Sequence, residues 1–195
     1  MKKQICTLLL CGCLLCSAGC SDGEQASSAV EIVVDSNFQA APVPDGGWTF
    51  ESLSETVRIN GKSITLPFCI DQLGEDYVFD EASQVGTTYT ILYRGKSAFI
   101  VKLSEADTGD LRQRKAIRFG TDDPNKTDGI TGAIQINGIG EGATMQEVKE
   151  ALGTPYEETD RSFNYTDADG NKLCNLLFND AGKVQAIFYN FEIIT

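Results

Sequence analysis

The segment GEGATMQEVKEALGTPY, residues 140–156, decides the fold that the sequence predicts. Thr144 and Glu147 form a T-x-x-E capping box, in which each side chain binds the other residue's backbone N–H at a helix start. Apolar residues follow at positions i, i+3 and i+7 and form one stripe: Met145, Val148 and Leu152. Gly153 suits the position after the last turn, and Pro155 prevents continuation. The segment therefore predicts a short amphipathic helix with both ends defined.

A second segment, GKSITLPFCIDQLGEDY at residues 61–77, repeats this pattern 79 residues earlier. An ungapped alignment gives five identities in seventeen positions: Gly61/Gly140, Thr65/Thr144, Leu73/Leu152, Gly74/Gly153 and Tyr77/Tyr156. Thr65 can cap a helix, Pro67 suits the first turn because no backbone donor is needed there, and Gly74 ends the segment. The repeat predicts a second, shorter helix of about two turns.

Strand-like runs follow each predicted helix. They are residues 87–93, 97–103 and 115–119 in the first half, and residues 162–166, 172–178 and 183–191 in the second. Arg94-Gly95-Lys96 is typical of a hairpin turn. The predicted fold class is α+β, with two tandem helix-plus-antiparallel-sheet repeats at residues 48–120 and 133–195 joined by a connector at 121–132.

Alternation assigns the faces of the last two strands. The positions expected on one face are Cys174, Leu176 and Phe178 in one strand, and Val184, Ala186 and Phe188 in the next. If Phe188 faces the core, its neighbour Tyr189 faces outward, and Tyr93 at a hairpin end is also expected outside. Tyr93 and Tyr189 are thus candidates for contacts with a partner, because tyrosine is enriched at protein interfaces. The alternative is that both are buried, as sheet aromatics often are.

The motif GATMQEVKEALGTPYEE…FNYTDADGNKLCNLLFNDAGKVQAIFY, residues 142–189, resembles the SmpA/OmlA and β-lactamase inhibitor protein group. That group shares Gly-x-Thr, a short helix ending Leu-Gly-x-Pro, and a later Gly-Lys-Val. The resemblance implies the tandem α+β fold and a role in binding other proteins. Its matching residues Gly142, Thr144, Gly153 and Pro155 are structural, and no inhibitory contact residue carries over.

The N-terminus has the three parts of an export signal. Lys2 and Lys3 precede an apolar run too short to span a bilayer, and small residues precede Cys20. Ser17-Ala18-Gly19-Cys20 resembles the lipobox of bacterial lipoproteins, which implies a signal peptide at residues 1–19 and a lipid on Cys20. A second box ending at Cys13 leaves a very short apolar core, and an ordinary cleaved signal is the other alternative. Residues 20–47 are polar or rich in proline and glycine, which predicts a tether from the envelope membrane.

Cleavage before Cys20 leaves only Cys69 and Cys174 in the folded part. Outside the cytoplasm they can form a disulfide. Their positions in different halves of the chain favour two separate buried thiols.

The net charge of −12 becomes about −14 when Lys2 and Lys3 leave with the signal. So acidic a surface repels nucleic acid, which we do not expect as a partner. It favours cationic partners, although solubility beside an anionic envelope is the preferred explanation of the charge.

Few residues suggest catalysis or cofactor binding. The chain has no histidine, which removes most serine and cysteine nucleophile systems and common zinc sites. A carboxylate pair is the remaining enzymatic alternative. Residues 166–172, TDADGNK, have alternating oxygen side chains, but glycine and glutamate are missing from the positions a calcium loop needs, which favours a hairpin turn. We therefore expect no enzyme, no metal and no cofactor.

The sequence predicts a lipid-anchored extracytoplasmic module that binds another protein through an open sheet surface. The candidate surface residues are Tyr93 and Tyr189, with acids at the rim: Glu157, Glu158 and Asp160. A structural lipoprotein of an envelope assembly and a small glycan-binding or glycan-active protein are the two alternatives.

Overall fold

The computed structural model describes residues 38–122, 129–166 and 172–190 of the 195-residue chain. The signal segment, Cys20, the predicted tether up to residue 37, half of the connector (residues 123–128) and residues 167–171 of the predicted hairpin turn lie outside these residues. Two α-helices are described, α1 (Phe50–Ser54) and α2 (Met145–Leu152). The described strands are β1 (Val57–Ile59), β2 (Lys62–Ser63), β3 (Tyr77–Val85), β4 (Thr88–Tyr93), β5 (Lys96–Leu103), β6 (Ala116–Gly120), β7 (Ile134–Ile136), β8 (Glu157–Glu158), β9 (Ser162–Thr166), β10 (Lys172–Phe178) and β11 (Val184–Asn190).

The strands form two antiparallel sheets. The large sheet has eight strands in the order β3-β4-β5-β6-β11-β10-β9-β8, and the small sheet has the order β2-β1-β7. Each half of the chain therefore supplies four strands of the large sheet, and the halves meet where β6 pairs with β11. The small sheet joins the halves a second time, because β1 pairs with β7.

The predicted α+β fold class with two tandem helix-plus-sheet repeats is wrong. The described protein is mostly β, and one sheet runs through both halves instead of two separate sheets. The six predicted strand runs nevertheless lie close to the observed strands β4, β5, β6, β9, β10 and β11, whereas the long strand β3 and the short strands β1, β2, β7 and β8 were not predicted. The error lies in their association: β6 and β11 each present an edge to the other, and pairing these edges satisfies backbone groups that two separate sheets would leave open.

Helix α2 is confirmed in its bounds and its capping. The Thr144 hydroxyl accepts from Glu147 N at 3.2 Å, and the Glu147 carboxylate accepts from Thr144 N at 2.7 Å. Val148 and Leu152 are buried, and Gly153 follows the helix with a φ of 78°. The local pattern was sufficient here because it satisfies both helix ends and gives one apolar face.

The helix predicted after Thr65 is absent from the described residues. Only a 3-10 turn, Ile70–Gln72, forms in this segment. The backbone carbonyl of Phe68 accepts from Ala116 N at 2.8 Å, so it bonds to the edge of another element instead of a following helical turn. The buried residues Phe68, Ile70 and Leu73 also lack the spacing of a helical stripe. The segment is a loop that packs its apolar side chains on the large sheet.

One face of the large sheet carries the core. Phe68 meets Phe119 edge to face at 5.5 Å between ring centroids, and Ser54 of α1 lies 3.1 Å from the Tyr189 hydroxyl. From the small sheet's turn, Asn60 donates to the Tyr77 hydroxyl at 2.6 Å. The two helices, the small sheet and the 64–76 loop thus cover the same face, which we call the covered face. No described helix is long and apolar enough to cross a bilayer.

A β-bulge in β11 reverses the predicted orientation of two aromatics. Leu177 pairs with Ala186 and Phe178 with Val184, so Gln185 is an extra residue. One extra residue shifts every later side chain to the opposite face. Tyr189 is consequently buried at 1% exposure, whereas Phe188 lies half-buried on the other face. The expectation that Phe188 faces the core and Tyr189 faces outward is wrong.

Candidate functional site

The second face of the large sheet, which we call the open face, contains a depression of about 390 Å³. Outward side chains of six neighbouring strands, from β4 to β9 in the sheet order, line it: Thr88, Ile100, Lys102, Arg118, Asn164, Asn175, Phe188 and Asn190. The elements that cover the core contact the sheet from the other side. The open face is therefore available for contact with another molecule, as far as the described residues extend.

Cross-strand pairing arranges these side chains in two rows. The first row runs Ile100, Gly120, Phe188, Asn175, Asn164 and Glu157, and the second runs Thr88, Lys102, Arg118 and Asn190. Residues directly opposite each other in an antiparallel sheet point to the same side. Ile100 and Phe188 form an apolar centre in the first row, next to the basic pair Lys102 and Arg118 in the second. The asparagines of β10 and β9 lie between this centre and β8.

Phe188 and Gly120 form the centre of the first row, at the β6–β11 junction. A Cβ atom on Gly120 would overlap the Phe188 ring and lie 2.9 Å from the Ile187 carbonyl oxygen. Only glycine therefore lets the ring approach the β6 backbone so closely. The ring is half-buried, so it offers apolar surface at the floor of the depression.

Amide side chains hold the β8 side of the first row in a fixed arrangement. Asn175 Nδ2 donates to Asn164 Oδ1 at 2.6 Å, and Asn164 Nδ2 donates to Glu157 Oε2 at 3.1 Å. In the second row, Arg118 Nε donates to Asn190 Oδ1 at 3.0 Å. These contacts fix the donor and acceptor pattern of the open face before any partner arrives.

The predicted site residues do not form one surface. Glu157 lies on the open face, whereas Glu158 pairs with Lys149 of α2 at 2.7 Å on the other side of the sheet. Asp160 is exposed in the turn before β9. Tyr93 lies in the second strand of the sheet order and Glu157 in the eighth, so six spacings of about 4.8 Å, roughly 29 Å, separate them.

The two predicted tyrosines have structural contacts. Tyr93 is half-buried against Tyr77, with 4.7 Å between ring centroids, and the Arg94 guanidinium lies 5.0 Å from the Tyr93 ring. Tyr189 stacks on Phe119 at 5.5 Å, and burial raises the pKa of its hydroxyl. Tyr189 thus contributes to the core.

Candidate metal ligands and the two thiols are considered next, within the described parts of the chain. No group of three or more metal-ligating side chains occurs there. Cys69 and Cys174 are free thiols, as the interpretation of two separate thiols predicted, although Cys69 is only half-buried. Burial raises the pKa of Cys174 to about 12, so this thiol stays protonated and unreactive at neutral pH.

Sequence reasoning missed Phe188, Gly120 and the basic pair of Lys102 and Arg118. Alternation in β9 and β10 does contain part of the signal, because Asn164 and Asn175 occupy the positions between buried residues. The bulge at Gln185 leaves no such signal, so the outward direction of Phe188 could not be read from spacing.

Comparison with known proteins finds no matching family model, no matching curated protein and no matching solved structure.

Proposed function

We propose that this chain is a protein-binding module that binds a partner protein on its open face. The module lies outside the cytoplasm and is anchored to the membrane by a lipid on Cys20. The observation that carries the proposal is the depression around Phe188 at the β6–β11 junction. The N-terminal export pattern and the cysteine after Gly19 support the location.

The chemistry of the open face suits a protein partner. Its centre is apolar, with Phe188 and Ile100, and its periphery is polar, with asparagines and Arg118. Protein interfaces have the same arrangement, and their strongest contacts are commonly aromatic and arginine side chains near the centre. The sheet is a rigid support, which lowers the entropic cost of ordering these groups on binding.

The charge of the face indicates the partner's chemistry. Lys102 and Arg118 are cross-strand neighbours, in a chain whose net charge is −12. The partner should therefore place an apolar side chain over Phe188 and acidic groups towards Lys102 and Arg118, because complementary charges speed association and fix orientation.

Site-directed photo-crosslinking on cells tests this proposal. A photo-reactive residue at position 175 lies beside Phe188, and one at the exposed position 146 of α2 lies on the opposite side of the sheet. We expect one discrete adduct from position 175, none of the same size from position 146, and loss of the adduct with Phe188→Ala. Equal adducts from both positions, or an adduct that Phe188→Ala leaves unchanged, would contradict the open face as the binding surface.

The charge argument has its own test on the partner so identified. The double variant Lys102→Glu, Arg118→Glu should slow association and reverse its dependence on ionic strength. The matched control is Lys149→Glu, a charge reversal on α2 that lies on the covered side. Unchanged kinetics in the double variant would show that the basic pair has no part in recognition.

A further inference from the structure

A second depression, of about 360 Å³, lies beside the small sheet, at the outer edge of β2. Residues 63–66 form one wall, and Glu51, Ser54 and Glu55 at α1 form the other. Successive side chains of a strand point to opposite faces, so a depression that reaches several residues in a row borders the edge of the strand. We call it the β2 edge groove. It shares no described lining residue with the depression of the open face.

The edge of β2 presents backbone groups to this groove. β2 is the last strand of the small sheet, and Ile64 N donates to Val57 O of β1 at 3.2 Å. Because the backbone groups of alternate residues point to opposite edges of a strand, the N–H and C=O groups of Ser63 and Thr65 point away from β1. Both residues are exposed, and beyond the ladder with β1 neither has a backbone hydrogen bond to the described residues.

The outer edge of β3 in the large sheet is covered, in contrast to that of β2. Tyr77 N donates to Gly74 O at 3.3 Å, and the Tyr77 carbonyl accepts from Arg112 Nη1 at 2.6 Å. A register shift between Asp80 and Val85 then interrupts the strand. Bulges and charges of this kind prevent an edge from pairing with another strand. The edge of β2 has no such shift in its described pairing and faces open space in the groove.

The wall opposite β2 is acidic. Glu51 and Glu55 are four positions apart, so their side chains are neighbours on the helix surface, and both are exposed. Neither carboxylate forms an ion pair with a described residue. On the side of β2, Ile64 and the half-buried Leu66 add apolar surface. The groove therefore combines strand-pairing groups, an apolar strip and two negative charges.

We infer that the β2 edge groove binds an extended, basic segment of a partner protein, which adds a fourth strand to the small sheet beside β2. Backbone hydrogen bonds to Ser63 and Thr65 supply affinity, and lysine or arginine side chains of the segment reach Glu51 and Glu55. A second copy of this chain suits the groove poorly, because each copy has a net charge of −12 and the two repel. This inference does not depend on the binding function proposed for the open face.

A short peptide with alternating side chains serves as the probe, because alternate residues of a strand share a face. Full-length protein in detergent would be titrated with acetyl-Val-Lys-Val-Lys-Val-amide, and binding followed by calorimetry and by amide hydrogen exchange. We expect saturable binding and slower exchange of the Ser63 and Thr65 amides. The same peptide methylated at every backbone nitrogen cannot donate hydrogen bonds to β2 and should not bind. The peptide with glutamate in place of lysine should not bind either.

A substitution in β2 tests the pairing from the side of the protein. Ser63→Pro removes the outward N–H, and proline is tolerated on an edge strand where that group faces solvent. Binding of the lysine peptide should weaken by about fivefold, as expected for one lost backbone hydrogen bond. Ser63→Ala keeps the N–H and should bind like the unaltered protein. If Ser63→Pro loses its cooperative thermal transition, the methylated peptide still decides the question on the unaltered protein.

The acidic wall is tested by removing its charges without changing its shape. The double variant Glu51→Gln, Glu55→Gln should weaken binding of the lysine peptide severalfold. The matched control Glu81→Gln, Glu105→Gln removes the same charge from exposed positions outside the groove and should have little effect. The inference is overturned if the lysine peptide shows no saturable binding, if the methylated peptide binds equally well, or if the control variant weakens binding as much as the groove variant.

Discussion

Residues 61–77 and 140–156 share five identities and the same spacing of Thr, Leu and Gly, yet they fold differently. The second segment forms α2, while in the first the residues between β2 and β3 form a loop with a single 3-10 turn. The position three residues after the threonine shows the difference. It is Glu147 in the second segment, exposed and bonded to Thr144, and Phe68 in the first, fully buried. At this position the second segment has a capping carboxylate and the first has a large apolar side chain that packs in the core.

The comparison shows how two halves of one sheet are covered in different ways. In the first half, Phe68 of the 64–76 loop packs against the rings of Phe99 and Phe119. In the second half α2 buries Val148 and Leu152 next to Phe163 and Phe178. Similar spacing in a sequence thus leaves the type of covering element undetermined, because tertiary burial of one side chain can override a local helix signal.

The largest expected effect comes from removing the side chain that distinguishes the first segment. Phe68→Ala should lower the free energy of unfolding by about 3–5 kcal/mol, because the ring is fully buried against two others. Chemical denaturation with a constant m-value measures this loss. The control is Phe68→Leu, which keeps most of the apolar volume. A loss below about 1 kcal/mol for Phe68→Ala would show that the loop does not contribute to the core.

The junction between the halves should be the next most sensitive position. Gly120→Ala places a Cβ against the Phe188 ring and the Ile187 carbonyl, and should cost about 1–3 kcal/mol. The double variant Gly120→Ala, Phe188→Ala removes the contact with the ring, so the two losses should not add. Gly109→Ala, where a Cβ meets no atom within 4 Å, is the matched control. Additive losses would mean that the ring does not rest on β6.

Substitution of the two aligned threonines compares the segments directly. Thr144→Ala should cost about 1 kcal/mol, because the hydroxyl caps α2 by accepting from Glu147 N. Thr65→Ala should cost close to nothing, since Thr65 is exposed and no helix follows it. Thermal unfolding of the two variants side by side provides the measurement. Equal losses would contradict the difference between the segments.

The capped helix and several hairpins could be predicted because their signals are local. Thr144, Glu147 and Gly153 determine α2 within one short window, and Arg94-Gly95 forms the β4–β5 turn with positive φ at both residues. A further local signal was missed. Asn60-Gly61 and Asn137-Gly138 each follow an isoleucine and each have positive φ, which marks the turns after β1 and β7.

The merged sheet and the open face could not be predicted from spacing. The pairing of β6 with β11 joins residues about 70 positions apart, such as Gly120 and Phe188, and no local pattern encodes it. The bulge at Gln185 then exchanges the directions of Phe188 and Tyr189, and bulges have no reliable sequence signature for ordinary residues. The candidate site depends on both features, which is why the sequence analysis chose Tyr189 for the partner surface in place of Phe188.

The smallest expected effect is a pH dependence of the free energy of unfolding that comes from the second segment alone. Backbone and hydroxyl hydrogen bonds from Thr144 hold the pKa of Glu147 below its ordinary value. Because the folded state favours the carboxylate, its stabilising contribution is present above the unfolded pKa of about 4.3 and disappears as the pH falls through the lower folded pKa. Glu147→Gln keeps an acceptor but cannot titrate, so the stability difference between unaltered protein and variant should narrow from about pH 5 downwards. Glu150→Gln, on the same helix, controls for the removal of one exposed acid. The first segment has Phe68 at this position and can show no such dependence. If the stability difference between the unaltered protein and Glu147→Gln stayed constant across this pH range, the carboxylate would not take part in the cap that distinguishes the two segments.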